Sequence, residues 1–166
     1  MNTRAKEIIE KLNLLLHPEG GYYKEIYRSN EQITKLPNRY SGERAFATSI
    51  YFLLNEDQKS NFHKLKSDEL WYYHEGSSLS VYIINEEGIL KTFKLGLDLD
   101  NDELPQLTIH KNSWFAAEVN YKTSFCLMGC MVSPGFDFSD FELGKREELL
   151  EKFPEHSGLI RNFTDH

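Results

Sequence analysis

The stretch SNFHKLKSDELWYYHEG, residues 60–76, decides how this chain is read. It contains two β-runs, roughly 61–65 and 69–74, around a short polar turn. The first run carries His63 and Leu65; the second opens on Glu69, continues through Trp71, Tyr72 and Tyr73, and closes at Gly76. Side chains alternate along a strand, so Glu69, Trp71 and Tyr73 share one face and His74 takes the other. Two such runs bring the His63 imidazole and the Glu69 carboxyl to facing positions. That pair can hold a metal, move a proton or orient a small polar ligand.

Outward from this hairpin, strand signals recur at short spacing. Upstream, AFATSIYFLL at 45–54 is a buried strand, and 22–29 alternates as another. The latter places Tyr23, Glu25 and Tyr27 on one face, as pocket wall, solvated edge or dimer contact. Residues 3–16 have the period of an amphipathic helix, with Ile8, Ile9, Leu12, Leu15 and Leu16 on its apolar side. The HPEGG word at 17–21 stops it. Residues 30–43 form a polar loop, long enough for a lid or a partner contact.

Downstream, strands are expected at 79–84, 89–94, 106–110, 114–119 and 123–133, with Asn85 to Gly88 as a hairpin turn. An aromatic turn at 134–141, a short helix at 145–152 and a tail at 153–166 complete the chain. Short strands with helices only at the ends point to an all-β jelly-roll barrel or sandwich, one domain over 1–166.

The composition agrees with a packed domain: 166 residues, 40% apolar and 13% aromatic. The net charge of −7 disfavours nucleic acids and anionic membranes, but leaves room for a single phosphorylated metabolite. Cys126 and Cys130 fall on one strand face about 13 Å apart by strand rise, too far for a disulfide. They read as buried free thiols of a reducing compartment. No stretch approaches a membrane span, and the N-terminus is too charged for a signal peptide, so a cytoplasmic location is expected.

Several words in the chain resemble a known family. The first cupin motif, G(X)5HXH(X)3-4E(X)6G, is matched in spacing by His63, Leu65, Glu69 and Gly76, with leucine in the second histidine slot. The second motif aligns its turn with residues 110–115 and places Phe115 where a last metal-binding histidine would stand. HPEGGYYKEIYRS at 17–29, TSIYFLL at 48–54, FHKLKSDELWYYHEG at 62–76 and VSPGFDFSDFEL at 132–143 are similar to the cupin branch known as domain of unknown function 985. The resemblance implies a double-stranded β-helix barrel, often a homodimer, with a ligand cavity at one mouth.

These readings define a candidate site. His63 and Glu69 form its catalytic pair, with Tyr23, Glu25, Tyr27, Trp71 and Tyr73 shaping the cavity. With Leu65 and Phe115 in two ligand slots, no resident metal is expected; were Zn, Fe, Mn or Ni bound, His63 and Glu69 would be its ligands. The expected ligand is a small polar metabolite, such as a sugar or nucleotide derivative, isomerised or epimerised without metal. The alternatives are a non-catalytic sensor or storage cupin and a metal-dependent cupin enzyme. Simpler readings stand beside them: His63 and Glu69 as a structural hydrogen bond, Gly20 and Gly21 as turn glycines, and Trp71, Trp114, Phe136, Phe138 and Phe141 as core or interface. Lys24 and Arg28 either neutralise a ligand phosphate or face water.

Overall fold

The computed structural model describes residues 1–165. Helix α1 (Thr3–Leu12) is followed by β1 (Leu15–Leu16), β2 (Tyr22–Arg28), β3 (Gln32–Ile33) and β4 (Arg44–Ala45). Then come β5 (Thr48–Asn55), β6 (Lys59–Leu65), β7 (Asp68–Gly76), β8 (Leu79–Ile84) and β9 (Leu90–Leu95). The remaining strands are β10 (Glu103–Leu104), β11 (Gln106–Ile109), β12 (Trp114–Val119), β13 (Phe125–Ser133) and β14 (Phe141–Leu143). Helices α2 (Arg146–Lys152) and α3 (Ser157–Asn162) follow. Among the described residues, no helix is long and apolar enough to cross a membrane.

Two six-stranded sheets carry the architecture, in the orders β1-β2-β5-β13-β7-β11 and β10-β9-β8-β12-β6-β14. Their inner faces share one core. Phe52, Trp71, Cys126, Met128 and Cys130 of the first sheet pack with Val81, Phe115, Ala117 and Val119 of the second. This is the expected jelly roll, and both cysteines lie in that core as free thiols.

Both outer faces are also covered. Ala5 and Ile8 of α1 pack on Leu53 and Leu127 of the first sheet. Leu149, Phe153, Ile160 and Phe163 pack on Phe62, Ile84 and Trp114 of the second. Double coverage explains why β5 reads as an unbroken apolar run rather than an alternating one. It also corrects the expected tail: residues 157–162 form α3, and Ile160 within it and Phe163 just after it are fully buried.

The first helix ends four residues earlier than its apolar period suggests. Asn13 takes the left-handed conformation, with φ 54°, and its N–H returns to the Glu10 carbonyl. Asparagine tolerates that conformation and terminates helices there. Leu15 and Leu16 then pair as a strand with Tyr23 and Tyr22. At the other end, the Asn2 side chain accepts from the Arg4 and Ala5 N–H groups and donates to the Thr123 carbonyl. Asn2→Ala should cost about 1 kcal/mol, read as a lower urea midpoint at unchanged slope.

Candidate functional site

The site begins with a close backbone crossing. Residues 17–21 fold into a tight turn in which the Gly20 N–H donates to the His17 carbonyl and the His17 N–H to that of Gly21. Gly20 has φ +108°, and a Cβ there would stand 2.0 Å from the Lys59 carbonyl oxygen. Only glycine lets the turn lie this near β6. The Asn61 N–H then reaches the Glu19 carbonyl at 2.8 Å, which points the Glu19 side chain along β6.

Glu19 is thereby the carboxylate that meets His63. Its Oε2 lies 3.0 Å from His63 Nε2, and its Oε1 accepts from the Ser60 hydroxyl at 2.8 Å. Among the described residues, no ion pair within 4 Å joins His63 to Glu69. The expected pairing is therefore corrected to His63 with Glu19.

Hydrogen bonding and the opposed shifts of the two groups together favour an ionised pair. His63 Nδ1 is 2.7 Å from the Asn61 carbonyl, which can only accept, so Nδ1 carries a proton. Nε2 faces a carboxylate oxygen, which also accepts. The consistent state is an imidazolium against a carboxylate. Burial alone would push His63 down, but the charge and hydrogen bond of Glu19, with the charge of Glu69 and the Asn61 carbonyl, outweigh it, and the net shift is upward. Burial pushes Glu19 up, but His63, His17 and Ser60 together bring it below its ordinary value. His17 is different: its Nδ1 accepts from the Glu19 N–H at 3.3 Å, and burial keeps the ring neutral.

Glu69 stands apart from this pair. It is 7% exposed, and among the described residues its Oε2 meets no hydrogen-bond partner; neither does the buried Trp71 Nε1. The indole N–H lies near enough to favour the Glu69 anion electrostatically, without good hydrogen-bond geometry. Burial raises the Glu69 carboxyl to about 7; the His63 charge opposes that rise and the Glu19 charge adds to it.

A cavity of about 430 Å³ joins these groups. Its polar wall includes Glu19, Glu25, Arg28, His63 and Glu69. Tyr23, Phe52, Trp71, Phe136, Phe138 and Phe141 supply aromatic wall. The three phenylalanines after β13, read as core or interface from the sequence, therefore face the cavity. The structure thus brings His63, Glu69, Tyr23, Glu25 and Trp71 together.

Tyr27 and Tyr73 are placed elsewhere. Pairing of β2 with β5 skips Ile26 between Glu25↔Ile50 and Tyr27↔Ser49. This bulge reverses the alternation beyond it. Tyr27 turns outward, 54% exposed, and Arg28 reaches the cavity in its place. There Arg28 clasps Glu25 with two hydrogen bonds, at 2.9 and 2.7 Å. Tyr73 packs on the shared core, and its hydroxyl donates to the Gly76 carbonyl, outside the cavity lining.

The donor set does not fit a resident divalent metal. Among the described residues, no group of three or more His, Cys, Asp or Glu side chains is arranged to hold one. Leu65 lines the cavity, and the Phe115 ring packs 4.0 Å from that of His63. Both His63 nitrogens are already engaged.

Two packed, mostly antiparallel sheets with a polar cavity beside β6 and β7 define a cupin-type jelly roll. The chain belongs to the cupin superfamily, in the DUF985 family, whose model matches residues 6–144. It is 32% identical over 161 residues to the uncharacterized protein YML079W of Saccharomyces cerevisiae, covering 90% of this chain and 79% of that one. The crystal structure of protein SO0799 from Shewanella oneidensis is 42% identical, with TM-score 0.88, over 99% of this chain and 98% of that one. Oxalate decarboxylase of Bacillus subtilis, at 16% identity and TM-score 0.56, is similar in fold alone; the match covers 89% of this chain and 36% of that one.

Proposed function

We propose that this chain binds a small polar metabolite in the mouth of its barrel and moves a proton on it without metal, as a sugar isomerase or epimerase does. Glu69 is the group that carries the proton. One observation supports this above the rest: a carboxyl at the cavity wall, buried and unpartnered, with its protonation balanced near pH 7. Such a group gives and takes protons at neutral pH with little bias. His63 is not free for the same task, since Asn61 and Glu19 occupy both of its nitrogens.

The chemistry follows from these positions. The Glu69 carboxylate removes a proton from carbon next to a carbonyl, leaving an enolate. The fixed imidazolium of His63 favours that negative charge, because it is already in place and need not reorganise. The neutral Glu69 carboxyl then returns the proton to the neighbouring carbon while the hydroxyl proton passes from one oxygen of the enediolate to the other, which completes an aldose–ketose isomerisation; return to the same face of the same carbon regenerates the substrate and shows only as exchange. Phe136, Phe138 and Phe141 give the cavity an apolar wall beside these groups.

Solvent exchange tests the proposal. Aldoses, ketoses and their amino derivatives would be incubated with the protein in deuterium oxide and followed by proton NMR. At least one should lose the signal of the hydrogen next to its carbonyl, and Glu69→Gln should slow that loss by about 10²–10⁴-fold. Exchange at an undiminished rate in Glu69→Gln would refute the assignment. Binding without exchange across the panel would leave a non-catalytic binding protein.

A further inference from the structure

We propose that the ligand of this cavity is an organic cation: an ammonium group seated against aromatic rings and the Glu69 carboxylate, beside a hydroxyl or carbonyl oxygen that accepts from Trp71 Nε1. This names the ligand class of the site just described and rests on that cavity being a binding site.

Charge matching is the first argument. Two cations line the cavity, and each already has a carboxylate. His63 is held by Glu19 at 3.0 Å, and Arg28 by Glu25 through two hydrogen bonds. Two further acids line the wall without an ion-pair partner within 4 Å among the described residues, Glu69 and Asp137. Asp137 is held as an anion by the Ser139 hydroxyl at 2.6 Å and its N–H at 2.8 Å, with Arg44 and Arg28 in electrostatic range. A phosphate or carboxylate entering here would meet no uncommitted cation and would add to the negative charge. A positive group would complete the balance.

The walls are the second argument. The Phe136 and Phe138 rings stand 4.9 Å apart at 83°, and those of Phe138 and Phe141 stand 6.2 Å apart at 78°. Perpendicular rings turn faces and edges toward a common space, and ring faces attract ammonium groups. A bare metal ion would find too few donors on such a surface. An alkylated or carbon-bound ammonium would find apolar contact as well as charge.

The unpartnered atoms are the third. Glu69 Oε2 and Trp71 Nε1 are both buried without hydrogen bonds. Leaving one acceptor and one donor unmet is costly, and a ligand supplying the complement recovers that cost. A protonated amine beside an oxygen offers a donor to one and an acceptor to the other; a quaternary ammonium offers Glu69 its charge alone, and the oxygen beside it still accepts from the indole.

Three probes of nearly equal shape isolate charge: choline, the neutral 3,3-dimethylbutan-1-ol and the anionic 3,3-dimethylbutanoate. Binding to the intact protein would be measured by calorimetry and ligand-observed NMR at pH 8. Choline should bind about tenfold more tightly than the neutral alcohol, and the anion should not bind detectably. Glu69→Gln and, separately, Asp137→Asn should each reduce the preference for choline, so that a folding failure in one leaves the other as a test. Equal binding of choline and the alcohol, tighter binding of the anion, or no binding of any probe would overturn the inference. The outcome is separable from the proton-transfer reading. Deuterium exchange into neutral sugars with charge-blind binding would keep that reading and sink this one; choline preference without any exchange would do the reverse.

Discussion

Replacing Glu69 with glutamine should make the protein more stable at pH 8 and leave it no more stable at pH 4. The side chain is 7% exposed and unpartnered, so its ionised form is costly where it stands. Burial moves its protonation from the ordinary 4.5 up to about 7. Between those values the folded chain holds a proton that the unfolded chain has released. Stability therefore falls as pH rises through that interval and levels off above it. A shift of that size corresponds to about 3 kcal/mol above pH 7.

Glutamine keeps the shape and removes the charge, so the variant recovers most of that loss. For a chain of this length the gain is about 5–10 °C in midpoint at pH 8. The same substitution should slow proton exchange on the ligand by about 10²–10⁴-fold. Higher stability together with lost activity is what distinguishes a group held unfavourably for function from one that merely braces the fold. Equal stability of the two proteins across pH 4–8 would show that Glu69 is not held this way.

Glu19→Ala should be the most damaging single change at the site. It removes the counter-charge of a buried imidazolium and the acceptor of the Ser60 hydroxyl at once. Breaking a buried pair from one side costs about 3–5 kcal/mol. Glu19→Gln should cost clearly less, because its amide can donate to a neutral His63 Nε2.

The pH dependence has a definite sign. Glu19 is shifted down from 4.5, so its contribution is complete above that value and fades as pH falls through its folded midpoint. His63 is shifted up from 6.5, so its contribution is complete below that value and fades as pH rises through its folded midpoint. The deficit of Glu19→Ala should thus be widest between about pH 4.5 and 6.5, read from urea midpoints taken at several pH values. A deficit that is flat across pH would mean that the pair is not ionised.

The barrel was legible because strand period and turn chemistry agree along most of the chain. Alternation placed Glu69 and Trp71 on one face, which proves to be the cavity face that His63 shares; the same alternation put Tyr73 there too, and that residue packs on the core instead. Glu19 was not legible as the partner of His63. The two lie 44 positions apart, and their meeting depends on a glycine letting one backbone touch another, which no local period reports. Proline and two glycines around a glutamate stop a helix equally well. Tyr27 and Arg28 exchanged places for a similar reason: a single bulged residue, Ile26, reverses the face, and nothing in YYKEIYR marks it. The C-terminal cover is different. Leu159, Ile160 and Phe163 carry a helical spacing that could have been read, but the segment is short and follows a proline.

The central claim is that Glu69 is a buried, unpaired carboxyl balanced near neutrality. The most direct measurement is a carbon-13 NMR titration of the glutamate side-chain carboxyls, with the Glu69 resonance assigned by its absence in Glu69→Gln. That resonance should titrate with a midpoint of about 7. A midpoint at the ordinary 4.5 would contradict the claim.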